Sequence, residues 1–305
     1  MDTANAKVTK CVAPRHIVLA ASEDYIPGVR AFLNSYAYYH QSSSVTIHLL
    51  SHKLPRAFVD EMSARYNNLA VVDVDVTAFD HYGRSNPWAT KIPRFAYAAE
   101  LDGIVMLADA DMFFCANVDM WFDIASIGYI IAGSNGNNFA FDGRWREKYQ
   151  VPTLPDFFNY KTITSVPTVL DTAKHGDLWE AVHRHKVTIE VGGDFDLQNI
   201  YACILGKLGY IIPLPAQQVT GIHHFMLKPD TGVIRRHGKL VTRDGLEVLM
   251  VHGKWWMPSW YNNLMIAMKR YANGNGKTLQ MAEASRNELF MEFNRWANQQ
   301  QQADL

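Results

Sequence analysis

Short apolar runs alternate with amphipathic stretches over the first 132 residues, and this alternation confines the chain to a largely parallel sheet covered by helices. Residues 17–21, 45–50, 69–76, 104–108 and 127–132 read as strands, each short, aliphatic and bounded by turn residues. Between them, Val29, Phe32, Leu33 and Tyr36 recur at helical spacing within 26–40, and Phe58, Met62 and Tyr66 form one stripe after Pro55. Residues 88–101 read as a third helix. Strands joined through helices to parallel neighbours make a doubly wound, Rossmann-like α/β sheet. The second half is less regular. Residues 133–161, rich in Gly, Asn and aromatics, read as a binding loop or a small insertion. Residues 166–170, 209–213 and 246–251 read as strands, and 171–186 and 196–208 as helices. Amphipathic helices at 260–271 and 279–297 precede a polar, Gln-rich end, and residues 1–14 read as a disordered lead-in.

With 305 residues and 48% hydrophobic content, the chain can bury the core of one large domain. Its formal net charge of −1, without a dense basic stretch, gives no electrostatic footprint for nucleic acid, so no such partner is expected. No integral membrane segment is expected either, and residues 17–21 are too short for a signal-peptide core. Cys11, Cys115 and Cys203 are odd in number and far apart, which fits neither a disulfide framework nor a zinc site. These features lead to the expectation of a cytoplasmic protein.

The apolar run at 104–108 ends abruptly in Asp109-Ala110-Asp111. If the backbone stays extended, both carboxylates point to one side. They then lie at the carboxyl end of a buried strand, where open α/β sheets bind ligands. Two hard oxygen donors suit Mg²⁺ or Mn²⁺ bridging to a phosphate, which points to an enzyme handling a nucleotide diphosphate. The bland alternative is a turn-capping Asp109 and a solvated Asp111. The first βα turn, Ala20-Ala21-Ser22-Glu23-Asp24, carries no glycine fingerprint and no Walker-type loop is present. A bound diphosphate must then be neutralised by metal and cations. His252-Gly253-Lys254 offers an imidazole ligand, a close backbone approach and a point charge. The same residues also read as a polar strand end beside Trp255, Trp256 and Trp260. Asp194, Gln198 and Asn199 offer a carboxylate and amides for sugar hydroxyls at a helix start, while Asp196 equally suits an N-cap. Within Thr90-Lys91-Ile92-Pro93-Arg94, Arg94 either faces a phosphate or ribose or pairs with a surface acid.

In this order the pieces resemble the nucleotide-sugar glycosyltransferases of the GT-A fold. The resemblance is closest to family 8, which includes the glycogenins and bacterial lipopolysaccharide galactosyl- and glucosyltransferases. Residues 17–25 resemble that family's first strand and nucleoside-binding turn. Arg94 ahead of 104–111 resembles its helix arginine followed by a strand ending in Asp-x-Asp, and 164–170 occupies the slot of a further strand. Asp194-Phe195-Asp196-Leu197-Gln198-Asn199 resembles its Asp-Gln-Asp-x-x-Asn, and His252-Gly253-Lys254 its late His and Lys motif. The likeness spans about residues 16–260. It implies one GT-A domain over 15–260, with a nucleotide-sugar half at 15–132, an acceptor half at 133–260 and a C-terminal helical extension at 261–305.

The resemblance also implies roles. Asp109, Asp111 and His252 would hold Mn²⁺ or Mg²⁺. Ala20, Ala21, Ser22, Asp24, Tyr25, Lys91, Arg94, Asp109, Ala110, Asp111, Gly253 and Lys254 would bind the nucleotide-sugar. Asp194, Asp196 and Gln198 would act at the reacting sugar. The implied activity moves a hexose or related sugar, from a UDP-sugar first of all, to a hydroxyl on a carbohydrate or another acceptor. Family membership implies retention of configuration, with the departing phosphate oxygen as base; inversion would need a carboxylate base, and Asp194 is the first candidate. The acceptor is expected at the insertion, where Asn135, Asn137, Asn138, Phe139, Phe141, Asp142 and Trp145 supply amides and aromatic faces. Three departures stand out. Phe195 replaces the amide of Asp-Gln-Asp, Pro167-Thr168 stand where Ala-Gly or Ser-Gly is usual, and the His and Lys motif is compressed. A sugar nucleotidyltransferase and an inactive carbohydrate- or partner-binding protein are the rival readings. The first lacks a Gly-rich loop bearing Arg and Lys; the second sits poorly with an intact Asp109, Asp111 and His252. Homo-oligomerisation stays open.

Overall fold

The computed structural model describes residues 13–76, 91–134, 138–151, 157–161, 163–189, 193–216, 218–221, 234–236, 239–242, 245–253, 291–292 and 294–300. β1 (Arg15–Ser22) leads into α1 (Ile26–Tyr39), β2 (Val45–His52), α2 (Arg56–Arg65) and β3 (Leu69–Asp73). Then come α3 (Ile92–Glu100), β4 (Ile104–Leu107), β5 (Met112–Phe114), α4 (Asp119–Ser126) and β6 (Ile130–Gly133). An excursion of β7 (Asn138–Asp142), α5 (Gly143–Tyr149) and β8 (Phe157–Lys161) returns to β9 (Thr168–Asp171), α6 (Thr172–Ile189) and α7 (Asp194–Ile204). The remaining strands are β10 (Ile211–Leu214), β11 (Val219–Gly221), β12 (Ile234–Arg236), β13 (Lys239–Val241) and β14 (Met250–His252).

Seven strands form the central sheet in the order β10-β6-β9-β4-β1-β2-β3. β1 pairs in parallel with β2 and β4, β2 with β3, and β6 with β10. Only β9, between β4 and β6, runs antiparallel. A parallel neighbour requires a crossover, and an antiparallel one does not. The chain leaves β6 at Gly133 and comes back to the same end, where Thr164 N–H donates to Gly133 O at 2.7 Å and Gly133 N–H to Pro167 O at 3.0 Å. It therefore re-enters the sheet reversed. β4 is fully buried, as an aliphatic strand at the centre of a sheet covered on both faces must be. α1 buries Val29, Phe32, Leu33 and Tyr36, the stripe read from the sequence. Gly103 makes the turn into β4 at φ 121°, and a Cβ there would lie 2.3 Å from Pro14 O, the acceptor of the Ile104 N–H.

Several expectations need correction. The strand read at 127–132 starts at Ile130, because Trp121, Phe122 and Ala125 bury one face of a helix, α4, and Ile127 lies past its end, 72% exposed. α7 starts at Asp194 with Gly193 as its N-cap, so Asp196 is inside the first turn and caps nothing. The strand read at 246–251 narrows to β14, with Glu247 in an isolated bridge to Val241. β5 has no counterpart in the sequence reading; it joins β14 and β11 in a second sheet. The helix read at 260–271 lies outside the described residues, as does most of that at 279–297. Residues 294–300 are helical and dock on α1, where Asn34 donates to Asn294 Oδ1 at 2.7 Å and the Tyr38 hydroxyl to Glu292 at 2.7 Å. Among the described residues no helix is long and apolar enough to cross a membrane.

Candidate active site

Strand β4 delivers the acid pair. The Ala108 N–H still bonds Val18 O at 3.0 Å, and then the chain turns, with Met112 N–H donating to Asp109 O at 3.1 Å. The extended Asp-x-Asp backbone expected from sequence is thus a turn, and the carboxylates converge by a different route. β5 begins at Met112 and pairs antiparallel with β14, so His252 falls opposite Met112. Gly253, at φ 143°, donates its N–H to Asp111 O at 2.8 Å and locks the two segments together. His252 Nε2 lies 3.3 Å from Asp109 Oδ2 and 3.3 Å from Asp111 Oδ1. One ligand atom from each of the three residues falls within 4.8 Å of the others.

Burial pushes both carboxyls up, but the surrounding cations outweigh it. Lys91 and Arg94, then His252, hold Asp109 well below the usual carboxylate range, and His252 lowers Asp111. Burial likewise lowers His252, yet Asp111 and Asp109 prevail and raise it from 6.5 to about 9. In the metal-free chain this imidazolium contact stabilises fully below pH 6.5 and is lost as pH rises through about 9. Imidazole ligates only after losing that proton. A divalent ion held by this trio would displace that proton, so calorimetry at pH 7, in buffers of different ionisation enthalpy, should show one proton released per ion bound. Apparent affinity should climb by about tenfold per pH unit until about pH 9. Binding without proton release removes His252 from the ligand set.

Arg94 lies 1% exposed behind the acid pair. It donates through Nη1 to Asp109 Oδ1 and, at 3.1 Å, to Ala108 O; Nη2 is 3.4 Å from Asp194 Oδ2. It pairs with two buried acids, not the surface acid considered above. Lys91 Nζ is 2.6 Å from Asp109 Oδ2, and Lys186 Nζ 2.8 Å from Asp194 Oδ1.

The first turns of α7 anchor neighbouring segments. Asp196 accepts from the Tyr149 hydroxyl of α5. Asn199 accepts from the Tyr160 hydroxyl at 2.6 Å and Ile163 N–H at 3.1 Å, and donates to Ile163 O at 2.8 Å. Gln198, fully buried, donates to Thr168 Oγ1 at 2.8 Å, and its Oε1 has no partner among the described residues. Phe195, in place of the family amide, packs against the core. Tyr25 is buried just past β1; burial, then the charges of Asp111 and Asp109, push its hydroxyl up. Ala20, Ala21 and Ala110 are buried, Ser22 ends β1 and Asp24 is exposed. Trp145 stacks on Tyr149 with centroids 5.0 Å apart. Lys254, Asn135 and Asn137 lie outside the described residues, as do the side chains of Asn138, Phe139, Phe141 and Asp142. Sequence reasoning missed Lys186, Tyr149 and Tyr160, none of which sits at a motif spacing.

No protein-family model and no curated protein sequence matches the chain. The central sheet, helices on its faces and reversed β9 make this a GT-A glycosyltransferase fold. Among similar solved structures is the galactosyltransferase LgtC, a family 8 protein crystallised with donor and acceptor sugar analogues. It shares 15% identity at a TM-score of 0.54, over 86% of this chain and 98% of that one. The bifunctional glycosyltransferase WbbM shares 14% identity at a TM-score of 0.53, over 88% of this chain and 51% of that one. At these identities the sequence is divergent and the likeness establishes the fold.

Proposed function

We propose that this protein is a divalent-metal-dependent glycosyltransferase that moves a hexose from a UDP-sugar to a hydroxyl acceptor with retention of configuration. The observation that carries the reading is the convergence of Asp109, Asp111 and His252 at the carboxyl end of β4 in a GT-A sheet. The residues fit a divalent ion. They offer two hard carboxylates and one imidazole, and Asp111 Oδ1 is buried with no partner nearer than His252 among the described residues. Mn²⁺ or Mg²⁺ held there would stabilise negative charge growing on a leaving diphosphate.

Among the described residues Lys91, Arg94 and Lys186 offset the buried charges of Asp109 and Asp194, which leaves Asp111 and a deprotonated His252 to a cation. Tyr25 and the end of β1 suit the nucleoside, and Asp194 and Asp196 the sugar hydroxyls. The β7–α5–β8 excursion, with Trp145 stacked on Tyr149, suits the acceptor. Lys254 is assigned to the leaving diphosphate and Gln198 to the sugar side by resemblance. Retention rests on the likeness to family 8. Calorimetry or thermal shift with UDP-, GDP- and CDP-hexoses, with and without Mn²⁺, is the test. Binding of a UDP-hexose only when Mn²⁺ is present is expected, and no metal-dependent binding of any of them ends the reading.

A further inference from the structure

The geometry points to Lys186 as a positioning residue that holds Asp194 ready to accept a hydrogen bond from a donor-hexose hydroxyl. The assignment rests on the glycosyltransferase reading and adds a residue that no motif supplies. Lys186 sits in the last turn of α6, shortly before the start of α7 and remote in sequence from Asp109 and Asp111. It is 4% exposed, and lysine is almost never that buried unless paired. Its Nζ is 2.8 Å from Asp194 Oδ1, nearer than Arg94, whose Nη2 stands 3.4 Å from Oδ2. The result is an alternating row, Lys91–Asp109–Arg94–Asp194–Lys186, that joins the metal-side acid to the acid at the start of α7.

Burying such a pair is costly, and a well-packed apolar pair in its place is often as stable. Stability is therefore a poor explanation for the row, whereas orientation is a good one. With Lys186 at Oδ1 and Arg94 at Oδ2, one cation on each oxygen fixes the carboxylate plane and leaves lone pairs on Oδ2 for an O–H donor. Without Lys186, only the longer Arg94 contact directs Asp194 among the described residues.

Mn²⁺-dependent affinities for UDP and for UDP-glucose or UDP-galactose separate the roles. In wild type the hexose adds affinity over UDP alone. In Lys186→Met this increment should fall by about ten- to a hundredfold, the scale of one hydrogen bond to a charged group, while UDP affinity stays unchanged. In turnover the loss should fall on KM for the nucleotide-sugar more than on kcat. Asp194→Asn should lose the same increment, and Lys186→Met added to Asp194→Asn should cost nothing further. That double variant removes both charges and covers the case in which Lys186→Met alone unfolds. Unchanged UDP-hexose binding in folded Lys186→Met overturns the assignment. So do equal losses for UDP and UDP-hexose, or additive losses in the double variant. Absence of metal-dependent UDP binding in wild type overturns the glycosyltransferase reading itself, a result seen before any variant is made.

Discussion

On the function proposed above, Asp111→Asn should abolish Mn²⁺-dependent UDP binding and lower transfer by at least about 10²–10³-fold, the cost of removing one group that stabilises charge in the transition state. Its two oxygens are not equivalent. Oδ1 is buried and faces only His252 Nε2 among the described residues, at 3.3 Å. The amide keeps the shape and removes the charge that a divalent ion needs. The fold should survive, because among the described residues no lysine or arginine is salt-bridged to Asp111, unlike Asp109, which carries both Lys91 and Arg94. The partner left behind is His252, whose value then falls from about 9 back toward 6.5, so it simply loses its proton nearer neutrality. Equilibrium denaturation should stay cooperative and shift by about 1–3 kcal/mol at neutral pH, the scale of the lost imidazolium contact. Folded Asp111→Asn that still binds UDP only with Mn²⁺ would remove Asp111 from the ligand set.

Periodicity made most strands and helices of the first 132 residues legible, because a two-sided sheet demands aliphatic strands such as 104–107 and striped helices such as α1. The acids at 109 and 111 were legible as a pair for the same reason. They are polar residues at an abrupt strand end. Their geometry was not, since the turn closed by Met112 N–H on Asp109 O depends on β5 finding β14, a pairing between residues more than a hundred positions apart. α4 was hidden because Ile127 extends the aliphatic run at 130–132 and disguises the helix end before it. Lys186 was hidden for a different reason. A lysine in the last turn of a helix reads as a solvated residue favoured by the helix dipole, and only the packing of α6 brings it to Asp194. Tertiary pairing of charges leaves no periodic trace in a sequence, so Lys91 and Arg94 were named by resemblance and Lys186 was not named at all.

Arg94→Met destabilises the protein by about 3–5 kcal/mol, the cost of leaving buried carboxylates without their cation. Methionine fills much of the volume, so the loss is mainly of charge and of the fork that reaches Asp109, Ala108 O and Asp194 together. The pH dependence identifies the cause. In wild type, Lys91 and Arg94 hold Asp109 well below 3.8, which contributes stability above that pH and loses it as pH falls through the lowered value. Without Arg94 the burial effect weighs more heavily and the Asp109 value rises, so protonation relieves the variant earlier than wild type. The gap between the two should therefore be widest near pH 7 and close as pH falls through the carboxylate range, read from urea midpoints at several pH values. A gap that stays constant with pH would mean that Arg94 serves through the packing of its stem. Arg94→Lys should recover only part of the stability, because one ammonium cannot span two carboxylates and a carbonyl. The cation that orients both acids is thus also a principal support of the interior around them, and the site cannot lose it without loosening the fold that presents it.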